Sequence, residues 1–122
     1  MSKTILAVDD SPSVRQMVRM TLAGAGYTII EAVDGEDALI KARDNKIDGV
    51  LTDQNMPRLD GIGFIKKYRQ TSSSLGVPII FLSTESHDDL KSQAKAAGAT
   101  GWMMKPFDQE KLLSVVRKVV GE

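Results

Sequence analysis

ILAVDDSP, residues 5–12, consists of four apolar residues followed by two aspartates and a serine–proline pair. A short, continuous apolar run of this kind is typical of a strand that is buried on both faces. Serine can cap a helix and proline fits the first helical position, so Ser11 and Pro12 predict that a helix starts directly after the strand. The segment therefore predicts a strand, a turn that carries two carboxylates, and a helix.

The same alternation of strand and helix continues along the rest of the chain. Apolar runs and helical periodicity predict strands at 5–8, 27–32, 47–53, 77–83 and 100–104, with helices at 12–24, 34–45, 61–71, 86 or 88 to 97, and 106–120. Five such βα units predict a parallel sheet with helices on both faces. The first, third and fourth strands are the most apolar and should be central, which fits the strand order 2-1-3-4-5. We therefore predict an α/β fold of the flavodoxin-like (βα)5 class, a doubly wound parallel five-stranded sheet.

Reactive side chains stand at the ends of four of the predicted strands. They are Asp9 and Asp10 after the first strand, Asp53 after the third, Ser83 after the fourth and Lys105 after the fifth. The carboxyl ends of parallel strands lie along one edge of the sheet, and ligands of this fold class bind there, where the strand order reverses. We therefore expect three carboxylates, a hydroxyl and an ammonium group in one pocket.

The expected pocket is suited to a divalent cation and a phosphoryl group. Clustered carboxylates repel one another by several kcal/mol in a low dielectric, and either protonation or a bound cation relieves the repulsion. Oxygen ligands without a nearby histidine or thiol favour Mg²⁺, or Mn²⁺, over zinc. Asp53 is the candidate nucleophile because it ends the central strand and a carboxylate can accept a phosphoryl group. Lys105 and the Ser83 hydroxyl would then contact the phosphoryl oxygens.

The bulk composition narrows the class of protein. The chain has 122 residues, a formal net charge of +0 and no cysteine. These values exclude disulfides, thiolate nucleophiles and cysteine zinc sites, and they give no reason to expect a nucleic-acid partner bound through bulk charge. No membrane-spanning run or secretory leader is visible. We therefore expect one domain over residues 1–122 without an output domain, monomeric and cytoplasmic, with no membrane or nucleic-acid partner.

Four motifs together carry a resemblance to a known family. They are VDDS at 8–11, LTDQNMP at 51–57 with Asp60 and Gly61, IFLS at 80–83, and GWMMKPF at 101–107. In this order and spacing they resemble the receiver domain of two-component response regulators, over essentially the whole chain. Within this family, the chain looks most like a stand-alone chemotaxis regulator of the CheY type.

The resemblance implies a phosphoacceptor and a metal site. Asp53 would receive a phosphoryl group from a phosphohistidine on a sensor histidine kinase, which is CheA-like in a chemotaxis system. Mg²⁺ would be held by Asp10, Asp53 and the backbone carbonyl of Asn55, with Asp9 contributing through water. The protein would then be a self-catalysed phosphoacceptor that also loses the phosphoryl group, and not a turnover enzyme on an external substrate.

The resemblance also implies a switch. Lys105 and Ser83 would hold the phosphoryl oxygens, and the peptide bond between Lys105 and Pro106 would be cis. Ser83 would move toward the phosphoryl group, and the aromatic ring of Trp102 would swing inward. The surface formed by the fourth helix, fifth strand and fifth helix would then change shape and select a partner. In CheY proteins that partner is the flagellar motor switch protein; a phosphatase is a further expected partner.

Several residues differ from the commonest family pattern, and others are expected to affect the rates of phosphorylation and dephosphorylation. Ser83 replaces the usual threonine, Thr84 replaces a smaller residue and narrows access to Asp53, and Trp102 replaces tyrosine or phenylalanine. Asn55 and Glu85 flank the expected path of an attacking water molecule. Their polar side chains predict fairly fast self-dephosphorylation.

The sequence leaves four alternative functions open. A phosphorelay intermediate would look much the same in sequence. A Mg²⁺-dependent phosphohydrolase would usually carry its acids as Asp-x-Asp, whereas Asp9 and Asp10 are contiguous. A flavin-binding module would need a phosphate-cradling loop after the first strand, where this chain has acidic residues. The last alternative is a receiver that binds partners without ever being phosphorylated.

Overall fold

The computed structural model describes residues 2–84 and 87–121. Within these ranges, five strands form one parallel sheet: β1 (Thr4–Val8), β2 (Thr28–Ala32), β3 (Gly49–Asp53), β4 (Ile79–Ser83) and β5 (Gly101–Met104). The helices that follow them are α1 (Pro12–Gly24), α2 (Gly35–Asp44), α3 (Gly61–Arg69), α4 (Asp88–Ala97) and α5 (Gln109–Val119). Every helix in the described ranges is too short or too polar to traverse a bilayer.

The strand order is β2-β1-β3-β4-β5, which confirms the predicted flavodoxin-like topology. The register brings the ends of neighbouring strands level with one another. Val8 pairs with Thr52, Asp53 with Leu82, and Ser83 with Met104. The residues that end or follow these strands therefore lie side by side along one edge of the sheet.

Apolar side chains cover both faces of the sheet. On β1 they alternate between the two sides, because Leu6 and Val8 join one core cluster while Ile5 and Ala7 join the other. The first cluster includes residues of α2, α3 and α4, and the second includes residues of α1 and α5. The central strands β3 and β4 are buried along their whole length, as their near-continuous apolar sequences predict.

Side-chain oxygens cap the starts of four helices. Ser11 accepts a hydrogen bond from the Val14 N–H at 3.4 Å, and Pro12 occupies the first helical position, as predicted. Helices α2, α3 and α5 begin in the same way, each after an aspartate whose carboxylate accepts a backbone N–H; these are Asp34, Asp60 and Asp108.

Several predicted element boundaries differ from the structure by one to three residues, most clearly at the start of the last helix. The last helix was expected from Pro106 but begins at Gln109, because the Asp108 carboxylate caps the Lys111 N–H at 2.8 Å. The Lys105–Pro106 peptide bond is cis, as the resemblance implied, and lies in the loop before this helix. Helix α4 begins at Asp88, the later of its two predicted starts; the other start, Ser86, lies outside the described residues.

Candidate functional site

The predicted cluster of charged side chains forms at the carboxyl edge of the sheet. One carboxylate oxygen from each of Asp9, Asp10 and Asp53 lies within 4.8 Å of the other two. Asp9 and Asp53 are buried, whereas Asp10 is exposed. Adjacent residues on a strand point to opposite faces, but the chain is already turning toward α1 here, and the turn lets both acidic side chains reach the pocket.

Lys105 connects the two buried carboxylates. Its ammonium nitrogen lies 2.7 Å from Asp9 Oδ2 and 3.4 Å from Asp53 Oδ2. The side chain of Lys105 is only 14% exposed, so these contacts are poorly screened by solvent. Lys105 therefore supplies the positive charge that allows two carboxylates to be buried next to each other.

Backbone contacts fix the position of Asp9. Its Oδ1 accepts the Ser11 N–H at 2.9 Å, and its own N–H donates to the Ala32 carbonyl at 3.1 Å. The guanidinium of Arg15 donates to the Asp9 carbonyl at 2.6 Å. Sequence analysis missed Arg15, because a basic residue on the first turn of a helix gives no signal that it binds a backbone carbonyl.

The segment after β3 fixes the position of Asp53. The Gln54 N–H donates to Asp53 Oδ1 at 2.9 Å, which leaves Oδ2 directed to the side where Lys105 lies. A Cβ atom on Gly61 would stand 2.2 Å from the Asp53 carbonyl oxygen, so only glycine fits where α3 starts against the end of β3. The sequence shows Gly61 directly after the capping Asp60, but nothing in that pattern reveals the close approach.

The electrostatic surroundings shift the pKa of both central groups. Burial raises the pKa of Asp53, and the negative charge of Asp9 raises it further, while Lys105 and the Gln54 N–H only partly oppose these effects. Burial would by itself lower the pKa of Lys105. The hydrogen bond and negative charge of Asp9, together with the charge of Asp53, outweigh burial and raise it. The pocket therefore holds a fully charged lysine beside a carboxylate that ionises less readily than usual.

The other predicted residues lie around this centre. Ser83 is buried at the end of β4, and its carbonyl accepts the Lys105 N–H at 2.8 Å. Thr84 is exposed and lines a largely apolar groove of about 400 Å³ together with Lys105. Asn55 is exposed on the loop that follows β3. Glu85, predicted to flank the path of attacking water, lies outside the described residues.

Trp102 lies on β5, three residues before Lys105. Its ring contacts Phe81 with 5.2 Å between the ring centroids, so it packs on the sheet next to β4. The side chain is half-buried between solvent and the core. Trp102 therefore lies between the strand that precedes Lys105 and the outer surface near α4.

An ion pair that sequence analysis missed holds the loop between Asp53 and α3. Arg58 Nε donates to Asp34 Oδ2 at 2.6 Å, and Asp34 is almost completely buried at the start of α2. Arg58 adopts a left-handed backbone with φ of 67°. The Gly35 N–H also donates to the Leu59 carbonyl at 3.0 Å. The loop is thus attached to α2 at two points.

We expect Asp34→Ala to lower the free energy of unfolding by about 2 kcal/mol, because it removes both a helix cap and the partner of Arg58. Burial would by itself raise the pKa of Asp34, but hydrogen bonds from the Asp37 N–H and from Arg58 lower it. A lowered pKa means that this contribution is present above the ordinary value of 3.8 and is lost as the pH falls below it. Urea unfolding should therefore show a large difference between parent and variant at pH 7 and a smaller one near pH 3.

Asp34→Asn provides the matched control for this substitution. Asparagine keeps an oxygen that can cap α2 but loses the charge that pairs with Arg58. The free energy of unfolding of Asp34→Asn should therefore lie between that of the parent and that of Asp34→Ala. Equal stability of the parent and Asp34→Ala would show that the loop does not depend on this pair.

The donor set of the pocket fits a hard divalent cation. Three carboxylates offer oxygen ligands, and the exposure of Asp10 leaves room for water ligands, which Mg²⁺ usually retains. Within the described part of the chain, histidine does not contribute to this group. Oxygen ligands of this kind suit Mg²⁺ or Mn²⁺, while softer metals prefer nitrogen or sulfur.

Comparison with known proteins points to one family. The family described as "Response regulator receiver domain" matches residues 5–117. Chemotaxis protein CheY4 of Vibrio cholerae has a structure that superimposes with a TM-score of 0.95 at 44% identity, covering 98% of this chain and 99% of that one. The receiver domain of a Pseudomonas aeruginosa sensor histidine kinase, solved with a magnesium ion in its active-site cleft, gives a TM-score of 0.90 at 26% identity over 100% of both chains.

Curated relatives include longer regulators. The alkaline phosphatase synthesis transcriptional regulatory protein PhoP of Bacillus subtilis is 36% identical over 98% of this chain, which corresponds to 49% of its own length. The chain thus spans about half the length of several of the curated relatives that it matches.

Proposed function

The chain belongs to the response regulator receiver domain family, and from that premise we propose that it accepts a phosphoryl group on Asp53 and switches the affinity of its surface for a partner. One observation carries the proposal. Asp9, Asp10 and Asp53 offer oxygens within 4.8 Å of one another, and Lys105 stands 3.4 Å from the Asp53 carboxylate. This arrangement places a nucleophilic oxygen, a cation site and a fixed positive charge around one point.

The transfer step follows from the geometry of Asp53. The Gln54 N–H orients the carboxylate through Oδ1, so that Oδ2 is the oxygen available to attack phosphorus. A P–O bond forms as the P–N bond of the donor phosphohistidine breaks; the electron pair stays on the imidazole nitrogen, which takes up a proton from solvent. The product is an acyl phosphate on Asp53.

Charge neutralisation is the main catalytic need of phosphoryl transfer. Lys105 lies close enough to Asp53 to contact a phosphoryl oxygen once it is attached, and the Ser83 hydroxyl at the end of β4 would contact another. Mg²⁺, held by Asp10, Asp53 and the Asn55 carbonyl with Asp9 through water, would neutralise further charge on the transferred group. Water later cleaves the acyl phosphate, so the protein stores a transient state and does not turn over an external substrate.

The partner surface is the face formed by α4, β5 and α5. Attachment of the phosphoryl group adds contacts that exist only in the active state, so Ser83 moves inward and Trp102 follows. The likeness to CheY4, a chemotaxis protein, favours a chemotaxis role. For that role we propose a CheA-like sensor kinase as donor, the flagellar motor switch protein as target, and a monomeric cytoplasmic receiver. A separate phosphatase would shorten the signal.

The curated relatives indicate that receivers of this family also serve outputs other than chemotaxis. PhoP is a transcriptional regulator, and the part of PhoP that matches this chain is about half of its length. A receiver of the same construction can also pass its phosphoryl group onward as a phosphorelay intermediate. Transfer from phosphorylated protein to a histidine phosphotransfer domain, compared with binding to the motor switch protein, separates this role from the chemotaxis role.

The experiment that tests the proposed function is intact mass spectrometry after incubation with acetyl phosphate. With Mg²⁺ we expect the mass of one phosphoryl group to be added, and with a chelator in excess we expect none, because the clustered carboxylates would repel the donor. Uptake that is unaffected by chelation would contradict the proposed cation site. A phosphohydrolase would instead release inorganic phosphate continuously without retaining any.

A further inference from the structure

Trp102 is held in a position that leaves one of its polar groups unsatisfied. The indole Nε1 is buried, and it has no hydrogen-bond acceptor in the described part of the chain. Such a donor costs free energy wherever it is buried without a partner. The observed position of the ring must therefore be maintained by other contacts.

Two contacts hold the ring, one from the sheet and one from α4. Phe81 packs against it from the sheet at a centroid distance of 5.2 Å and an interplanar angle of 44°. On the side of α4, the ammonium nitrogen of Lys91 lies 5.2 Å from the ring centroid. A cation at this distance over the face of a tryptophan is attracted to the ring. The ring thus contacts both a core aromatic residue of β4 and a charged side chain of α4.

A second lysine in the same groove provides a comparison. The groove has a volume of about 280 Å³ and is lined by residues of α4 and β5, among them Lys91, Lys95 and Trp102. Both lysines are exposed and stand four residues apart on α4. Lys91 makes a cation–π contact with Trp102, and among the described contacts Lys95 makes no such contact. Substitutions at the two positions therefore distinguish the effect of contact with the ring from the effect of positive charge in the groove.

We propose that Lys91 is a positioning residue that holds Trp102 in its observed place on β5, against the cost of its unpaired indole N–H. Loss of the charge at residue 91 releases the ring, which then moves to where its N–H can meet water or another acceptor. Lys91 thereby sets how readily the face formed by α4, β5 and α5 changes shape. This consequence rests on the proposed function, whereas the position of the ring itself can be tested without it.

The chain provides its own probe for the test. Trp102 is the single tryptophan in the sequence, so intrinsic fluorescence reports on this ring alone. Emission maximum and quenching by acrylamide, a neutral quencher, should be measured on the full chain in excess chelator without a phosphodonor. These conditions isolate the contact between Lys91 and Trp102 from phosphoryl transfer.

Lys91→Met keeps the length of the side chain and removes its charge. We expect its quenching constant to rise about twofold over the parent, with a shift of the emission to longer wavelength, because the ring becomes more exposed. Lys91→Arg keeps a cation over the ring and should behave like the parent. Lys95→Met removes the same charge from the same groove and should also behave like the parent.

Two results would overturn the proposal. One is an unchanged quenching constant in Lys91→Met, and the other is an equal increase in Lys95→Met, which would assign the effect to the charge of the groove. Circular dichroism on each variant checks that the fold is retained, and Lys91→Gln, which also removes the charge and should raise the quenching constant, keeps the test decisive if the methionine variant unfolds. Failure of the proposed function appears separately, as absence of phosphoryl uptake by the parent protein.

Discussion

Lys105→Met should lower the free energy of unfolding by about 3 kcal/mol at pH 7 in the presence of chelator, because breaking a buried ion pair leaves charge without compensation. Asp9 and Asp53 are both buried, and Lys105 is the ammonium group that stands 2.7 Å and 3.4 Å from them. Without it, the two carboxylates repel each other in a poorly solvated site. Urea unfolding of parent and variant at equal ionic strength measures the difference.

The pH dependence of this loss has a defined sign. Since the pKa of Lys105 is raised in the folded protein, its contribution is fully present below its ordinary value of 10.5 and is lost as the pH rises through the folded-state value. The difference between parent and Lys105→Met should therefore be constant around neutral pH and become smaller in strongly alkaline solution.

Two further variants test whether the loss comes from the carboxylates. Lys105→Arg keeps the charge and should lose less stability than Lys105→Met. Asp9→Asn combined with Lys105→Met removes one of the two repelling charges and should recover part of the loss. A stability for Lys105→Met equal to that of the parent would contradict the view that Lys105 compensates the buried carboxylates.

Asp53→Asn should abolish phosphoryl uptake from acetyl phosphate, while making the folded protein more stable by about 1 kcal/mol at pH 7 in chelator. Asparagine keeps the shape of the side chain but lacks the nucleophilic oxygen anion. The gain in stability has a separate cause. Burial and the charge of Asp9 raise the pKa of Asp53, so the folded protein holds this proton more tightly than the unfolded chain does.

The sign of the second effect follows from proton binding. Between the ordinary value of 3.8 and the raised pKa, the folded state binds more protons than the unfolded state, so stability falls as the pH rises through this range. This loss of stability persists at neutral pH, where Asp53 is ionised, and Asp53→Asn removes it.

Asp48→Asn is a useful control because Asp48 accepts the Thr4 N–H at 2.8 Å, close to the start of β1 and away from the acidic cluster. It should leave phosphoryl uptake unchanged.

Loss of uptake with a loss of stability would assign the effect of Asp53→Asn to unfolding. Retention of uptake would show that another side chain accepts the phosphoryl group. Only the combination of no uptake and a gain in stability fits a buried, ionised carboxylate that serves as the acceptor.

The fold and the acidic cluster follow from patterns that are local in sequence. The apolar runs that became β1, β3 and β4 are short and end in polar residues, which predicted both the central strands and the position of Asp9, Asp53 and Ser83. The order of the strands required only that the less apolar runs lie at the edges. Each of these features is indicated by the pattern of apolar and polar residues within a short stretch of chain, so a single sequence is enough to predict it.

The features that sequence reasoning missed depend on contacts between distant segments. Arg58 pairs with Asp34, which lies 24 positions away in the sequence. Its left-handed backbone conformation could not be predicted from its residue type. The position of Lys91 over Trp102 likewise depends on the rotation of α4 relative to β5. Asp108 could have been recognised as a helix cap, since aspartate before a helical run is a common start signal, and this would have placed the start of α5 correctly.

The central claim is that the phosphoryl group is carried by the carboxylate of Asp53, and chemical trapping tests it most directly. Reduction of an aspartyl phosphate with borohydride converts that residue into homoserine, which peptide mass spectrometry locates in the sequence. After treatment with acetyl phosphate and Mg²⁺, we expect homoserine at position 53 and none when chelator is present. Homoserine at position 9 or 10, or a stable phosphate on Ser83 with Asp53 unmodified, would contradict the account.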